Sequence, residues 1–148
     1  MNARKPKGFS YSKRFLALFL LLFSLTFLGF GTVYYISPTG SDSNTGLGIT
    51  DELAWLTITK ANETLTAGDT VEILAGTYST NDGNAVINPD NAGTSGNPIT
   101  YTNYSTDTVY IRGQRYGALI NVDYITIDGL HIEEASQAAA VMECGVSL

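Results

Sequence analysis

Apolar and polar residues alternate along most of this chain, and the alternating stretches return at nearly regular intervals. The segment 123–134 (Asp-Tyr-Ile-Thr-Ile-Asp-Gly-Leu-His-Ile-Glu-Glu) holds two such stretches around one Asp-Gly corner. Alternation with a period of two is typical of a β-strand that buries one face. We therefore expect short strands joined by tight corners, without room for crossover helices between them.

The spacing of the isoleucines predicts how these strands stack. Ile73, Ile99 and Ile125 are separated by 26 and 26 residues, and Tyr101 and Ile127 by the same 26. A second series recurs at intervals of 24 and 21 residues: Ile87, Ile111 and Ile132. Periods of about 20 to 50 residues mark repeat proteins in which each unit packs against the next. We expect the members of each series to lie over one another.

The segment 32–69 is predicted to contain an entry strand, Val33–Ser37, a polar loop and one helix. The apolar residues of this helix recur at helical spacing: Ala54, Ile58, Ala61 and Leu65. Asp51 and Glu52 would lie favourably at its positive end, and residues 66–69 supply a stop. We expect this helix to cap the first repeat, since a terminal repeat otherwise exposes apolar side chains and unpaired backbone groups. The strand repeats would then occupy residues 70–148.

Residues 1–31 have the pattern of a signal peptide. Five of the eight basic residues lie between positions 4 and 14, and a largely apolar stretch, Phe15–Phe30, follows. This pattern predicts export with cleavage after Gly31, to a secreted or cell-surface location and without a stable membrane span afterwards. The alternative is an uncleaved anchor, which would also export the remainder of the chain.

Charge and cysteine content narrow the classes of partner. Beyond Gly31, three basic residues face fourteen acidic ones, a net charge of −11. Such a surface argues against nucleic acid as a partner and favours a neutral glycan, or an acidic one bridged by a divalent cation.

Cys144 is the single cysteine of the sequence, which excludes an internal disulfide. We interpret it as a buried small residue, with intermolecular pairing as the alternative.

The end of the sequence predicts a longer protein. About three turns of strands are complete by Val141, and no polar closing element follows. We expect the chain to be the N-terminal fragment of a larger protein. The alternative is a complete short protein whose open end is covered by another copy.

Four segments and a predicted helix carry a family resemblance: residues 34–42, 67–78, 96–101 and 124–130, with the helix near Trp55. Together they resemble the N-terminal region of secreted right-handed parallel β-helix proteins of the pectate-lyase-like superfamily. The resemblance implies an all-β fold: a right-handed parallel β-helix solenoid of about three rungs with an N-terminal capping helix. It also implies action on extracellular polysaccharide, most simply as part of a polysaccharide lyase, less readily a glycoside hydrolase. The alternative is a non-enzymatic surface or adhesive β-helix that binds glycans.

The resemblance places the active site beyond residue 148 and leaves the catalytic residues of this segment unassigned. A lyase needs a base beside a uronate and a cation for the developing charge; the resemblance implies calcium for the full-length protein but no cofactor in this segment. The candidate bases are Lys60, Arg112 and Arg115. We interpret Lys60 as a solvated helix residue. Arg112 and Arg115 are interpreted as members of surface ion pairs, with Asp123 and Asp128 placed one rung away.

Other candidate groups have structural interpretations. Asp128 precedes Gly129 and is typical of a tight corner, and the neighbouring Glu133 and Glu134 should point to opposite faces of a strand. His131 alternates with apolar neighbours, so it should face away from the core. The loop 42–46 opens like a calcium loop, but Leu53 occupies the twelfth position, so we interpret it as a polar connection without a metal. Sequons begin at Asn62 and Asn103.

Overall fold

The protein is described by a computed structural model for residues 30–80, 84–134 and 140–142. Residues 1–29 of the predicted signal peptide and Cys144 lie outside this range. The described residues form one helix, α1, Ile58–Thr64, and nine strands. The strands are β1 Val33–Ile36, β2 Thr70–Ile73, β3 Gly76–Ser79, β4 Ile99–Asn103, β5 Val109–Gly113, β6 Ala118–Ile120, β7 Ile125–Asp128, β8 Leu130–Glu134 and β9 Ala140–Met142. Within these residues, α1 is too short and too polar to cross a bilayer.

The strands pair in parallel in three sheets, as the sequence predicts. The four-stranded sheet has the order β1-β2-β4-β7, the three-stranded sheet β3-β5-β8, and the two-stranded sheet β6-β9. The chain passes through the three sheets in the same sequence twice, as β4-β5-β6 and then β7-β8-β9. Parallel strands joined by such short corners give a mostly β, β-helix-like arrangement in which each passage lies on the one before. We call each passage a rung.

The register within the four-stranded sheet corrects one prediction. Ile99 pairs with Ile125, and Tyr101 with Ile127, as the 26-residue interval predicts. Ile73 does not join them, because it pairs with Asn103, while Val71 pairs with Tyr101. The first interval is therefore 30 residues and not 26. The inward column runs through Tyr34, Val71, Tyr101 and Ile127.

The second series is also wrong at its first member. Ile111 pairs with Ile132, as predicted. Ile87 instead bridges in parallel to Ala118 and so belongs to the edge of the two-stranded sheet, whereas Tyr78 is the residue of the preceding rung that pairs with Ile111. The spacing of the isoleucines missed this pairing because the chain passes from one sheet to another between Gly76 and Ile87.

The core lies inside the stacked rungs and includes the inward residues of β1 to β7. Val71, Ile99, Tyr101, Val109 and Ile111 are each 0% exposed. At about 25 cal/mol per Å² of apolar surface, this burial is the main favourable contribution to folding. At the corner between β7 and β8, Gly129 has φ +66° and its α-carbon lies against the Asn103 side chain. A glycine is required there, because a β-carbon would collide with that amide.

The helix begins later than predicted. Thr57 is its N-cap and accepts a hydrogen bond from the Lys60 N–H, so Ala54 lies in the preceding turn, and Asp51 and Glu52 are outside the first helical turn. The helix packs Ile58 and Ala61 into the core. A threonine side chain satisfies a free N–H group of the first turn, and this fixes the start at residue 58.

Candidate functional site

The outward residues of the three-stranded sheet form a regular surface that we call the outer wall. Its members are Thr77, Ser79, Tyr110, Arg112, His131 and Glu133. The strand register aligns them in two rows across three rungs, Thr77 with Tyr110 and His131, and Ser79 with Arg112 and Glu133. Successive rungs are about 4.8 Å apart. Each row therefore places one outward side chain per rung at this spacing.

An aromatic platform lies in the first row of the outer wall. The Tyr110 ring is 5.3 Å from the His131 ring between centroids, at an interplanar angle of 34°. The Arg112 guanidinium carbon lies 5.4 Å from the Tyr110 centroid. Because Tyr110 is only half-buried, part of its ring remains in contact with solvent. His131 faces outward, as the sequence predicts, and is exposed.

Arg112 forms a surface ion pair, but with a different partner from the predicted ones. Its Nε donates to the Glu133 carboxylate at 2.6 Å, directly across the strand pair. Asp128 lies in the four-stranded sheet, so the corner after β7 separates it from Arg112. Both members of the pair are substantially exposed, and exposed pairs contribute about 0 to 1 kcal/mol. Arg115 lies over the Tyr116 ring, 5.2 Å from its centroid.

A groove opens beside the outer wall, between the chain leading into α1 and strand β3. Its volume is about 240 Å³. The residues that shape it are Pro38, Leu56, Thr59, Thr77, Ser79 and Thr80. We call it the hydroxyl groove. Thr77 and Ser79 belong to both the groove and the outer wall, so the two surfaces are continuous.

A second, more acidic cleft of about 160 Å³ adjoins the hydroxyl groove. The two share Thr59 and Thr80, and the second is also lined by Glu63 and Asp90. Both carboxylates are exposed. This end of the surface is therefore negatively charged, in agreement with the acidic composition of the chain beyond Gly31.

The loop with the calcium-like opening closes on the protein itself. The Asp42 carboxylate accepts hydrogen bonds from the N–H groups of Leu56 and Thr57 and from the Thr57 hydroxyl, at 2.7 to 3.0 Å. Asn44 donates to two backbone carbonyls of the same segment. These contacts account for the loop as the polar connection predicted from the sequence. Among the described residues, no group of three His, Cys, Asp or Glu side chains is placed to hold a metal ion.

A buried polar chain joins the helix to the inward column. The Tyr101 hydroxyl donates to Asn62 Oδ1 at 3.0 Å, and Asn62 Nδ2 donates to the Val86 carbonyl at 3.0 Å. Burial, with a smaller contribution from the Asp90 carboxylate, raises the pKa of Tyr101 well above its ordinary value. Since Asn62 is 6% exposed and both its amide atoms are bonded, its sequon is not accessible for modification in the folded chain.

Burial also raises the pKa of Tyr78, with a smaller contribution from Asp107. Its hydroxyl donates to the Leu74 carbonyl at 2.9 Å. Lys60, one candidate base, lies on the helix surface and is half-buried. The other sequon asparagine, Asn103, donates to the Asp107 carbonyl at 2.9 Å. Tyr78 and Asn103 thus each have a hydrogen-bond partner within the protein, and Lys60 lies on the surface of the helix.

Sequence reasoning missed the groove and the platform. Tyr110 could have been found, because it occupies an outward position in the alternating run Val109–Gly113. The groove could not, because it joins residues 38, 56 and 77–80, which are distant in sequence. Its shape depends on where α1 begins, which the sequence pattern misplaced.

Comparison with known proteins gives a limited set of similarities. No protein-family model matches this sequence. A curated Bacillus subtilis (strain 168) protein, described as uncharacterized protein YwoF, is 35% identical over 120 residues, covering 73% of this chain and 23% of that protein. A solved structure of a rhamnogalacturonan lyase matches 68% of this chain and 28% of its own, with a TM-score of 0.57 and 24% identity. The chain thus spans about a quarter of each, and at this identity the second likeness concerns the fold.

Proposed function

We propose that this chain is the N-terminal part of an exported, right-handed parallel β-helix protein that binds extracellular polysaccharide. For the full-length protein, we propose the activity of a polysaccharide lyase with its active site beyond residue 148. Its rungs would close into one solenoid, with α1 as the cap. The basic and apolar pattern of residues 1–31 supports export, with signal cleavage leaving the rungs secreted or on the cell surface.

The observation that carries this proposal is the outer wall. It offers a half-exposed aromatic ring, flanked by an arginine and a histidine, in rows that repeat from rung to rung. Sugars combine apolar ring faces with many hydroxyls, and sites of this kind pair aromatic surface with a few placed polar groups. The fold likeness to a rhamnogalacturonan lyase supports a polysaccharide as the ligand class.

A non-enzymatic, adhesive β-helix is the second candidate. It is favoured by the ion pair between Arg112 and Glu133, which engages the arginine of the wall with a carboxylate of the next rung. In either protein, calcium is proposed for the full-length protein and not for this segment. A lyase and an adhesin differ in turnover by the full-length protein, whereas this segment should bind without turnover in both cases.

The test is binding and turnover by the full chain, expressed in a host that exports it. Binding to a panel of plant and bacterial polysaccharides is measured by affinity electrophoresis, and unsaturated products are followed by ultraviolet absorbance. We expect binding without turnover, because the lyase site is placed outside this segment. Tyr110→Ala should weaken binding at least about tenfold, which corresponds to about 1.4 kcal/mol. Tyr124→Ala, at an exposed tyrosine away from the outer wall, is the matched control. Failure to bind any polysaccharide, or equal binding by both variants, would overturn the proposal.

A further inference from the structure

Three free hydroxyl groups line the hydroxyl groove. Thr59, Thr77 and Ser79 line it, and none of their hydroxyls has a hydrogen-bond partner among the described residues. The other three hydroxyls, of Thr57, Tyr78 and Thr80, are already engaged with the protein. Three free donor-acceptor groups therefore face one space of about 240 Å³.

Apolar side chains also line the groove. Leu56 is 40% exposed and Pro38 is exposed, and the buried Tyr78 and Val86 complete the lining. Hydroxyls together with hydrocarbon match the two kinds of surface that a pyranose ring presents. A space of this size is sufficient for one such ring.

The adjoining acidic cleft determines which sugar charge is favourable in the groove. Glu63 and Asp90 line this cleft, which continues from the groove at Thr59 and Thr80. A uronate carboxylate at the junction of the groove and the cleft would be disfavoured by these two carboxylates, because like charges repel one another. An uncharged sugar has no such penalty.

We infer that the hydroxyl groove is a subsite for one uncharged sugar residue, at the end of a polysaccharide segment that lies on the outer wall. The inference rests on the proposed function, because the ligand reaches the groove along the wall through Thr77 and Ser79. Glu63 and Asp90 act as specificity residues that disfavour uronates at this position. Tyr110 supports the neighbouring part of the ligand and is not part of the subsite.

The test uses a matched pair of probes and the full chain. The probes are rhamnogalacturonan oligosaccharides of one length, before and after chemical reduction of their uronate carboxylates to hydroxyls. Isothermal titration calorimetry gives both affinities. We expect the reduced probe to bind more tightly to the wild-type chain, and Glu63→Gln combined with Asp90→Asn to raise affinity for the unreduced probe about threefold or more.

Removal of groove hydroxyls should weaken binding of the reduced probe. Thr59→Val is decisive, because Thr59 lines the groove but not the wall, and we expect an affinity loss of about fivefold. Thr126→Val, at an outward threonine of the four-stranded sheet, is the matched control and should bind like wild type. If Thr59→Val also binds like wild type while Tyr110→Ala loses affinity, the groove inference is wrong and the proposed function stands. If the wild-type chain binds neither probe nor any polysaccharide of the wider panel, both are wrong.

Discussion

The buried hydrogen bond between Tyr101 and Asn62 gives the sharpest test of how the helix is held on the rungs. Tyr101→Phe removes one hydroxyl, leaves the ring in place and opens almost no cavity. The Tyr101 side chain is 0% exposed, and Asn62 would keep a buried Oδ1 atom with no partner. Stranding a buried acceptor costs about 1 to 3 kcal/mol. We expect the free energy of unfolding at pH 7 to fall by that amount.

Urea denaturation measures this loss, with the fluorescence of Trp55, the single tryptophan of the sequence, as the signal. With a slope of about 1 to 3 kcal/mol per molar urea, the midpoint should fall by roughly 1 M. Tyr104→Phe, at a half-buried tyrosine, is the matched control and should change stability by less than about 0.5 kcal/mol. If the two variants have equal midpoints, the hydrogen bond does not stabilise the fold and the packing of α1 must be explained by apolar contacts alone.

The free energies of unfolding of the wild-type chain and of Tyr101→Phe should converge at high pH. The raised pKa of Tyr101 means that the folded chain keeps a proton which the unfolded chain loses near pH 10. The stabilisation is therefore complete below pH 10 and declines above it, by about 1.4 kcal/mol per pH unit for each such tyrosine. Tyr101→Phe lacks this contribution, so its deficit should shrink between pH 10 and 12. A deficit that stays constant over that range would contradict the assignment.

Three further substitutions test other contacts. Asp42→Ala removes the acceptor of three hydrogen bonds before α1 and should cost about 2 to 4 kcal/mol in urea denaturation. Gly129→Ala should destabilise more than Gly96→Ala, because both have positive φ but only Gly129 is packed against a side chain; equal midpoints would contradict the collision. Arg112→Ala should cost under 1 kcal/mol in stability, because its pair with Glu133 is exposed; a larger loss would mean that the pair holds the rungs together.

The parallel stacking could be predicted from the sequence, but the register could not. Side chains alternate with a period of two, so any shift of a strand by an even number of residues keeps the same apolar face inward. Pairing Ile73 with Ile99 buries apolar residues as well as pairing Val71 with Tyr101 does. The observed register is accompanied by hydrogen bonds of Asp69, the residue just before β2. The Asp69 carboxylate accepts from the Thr32 and Thr66 N–H groups, and the Asp69 carbonyl accepts from the Thr100 N–H.

The start of α1 was misplaced for a similar reason. Ala54 continues the helical spacing of Ile58 and Ala61, and the pattern contains no sign that the chain turns between them. The turn is imposed by Asp42, which lies 15 residues before Thr57 and binds its backbone and its hydroxyl. A contact across a loop thus overrides local periodicity. The shape of the groove depends on the same turn, because Leu56, which lines the groove, lies just before the helix begins at Ile58.

The outer wall and the hydroxyl groove depend on one another through β3. Thr77 and Ser79 are outward because Tyr78 between them is drawn into the core, where its hydroxyl donates to the Leu74 carbonyl. The pairing of β3 with β5 then sets Thr77 beside Tyr110. A change that releases Tyr78 should therefore disturb both surfaces at once. Tyr78→Ala, which removes the buried ring, should weaken polysaccharide binding to the wall and discrimination in the groove together. Loss of one without the other would show that the two surfaces are independent.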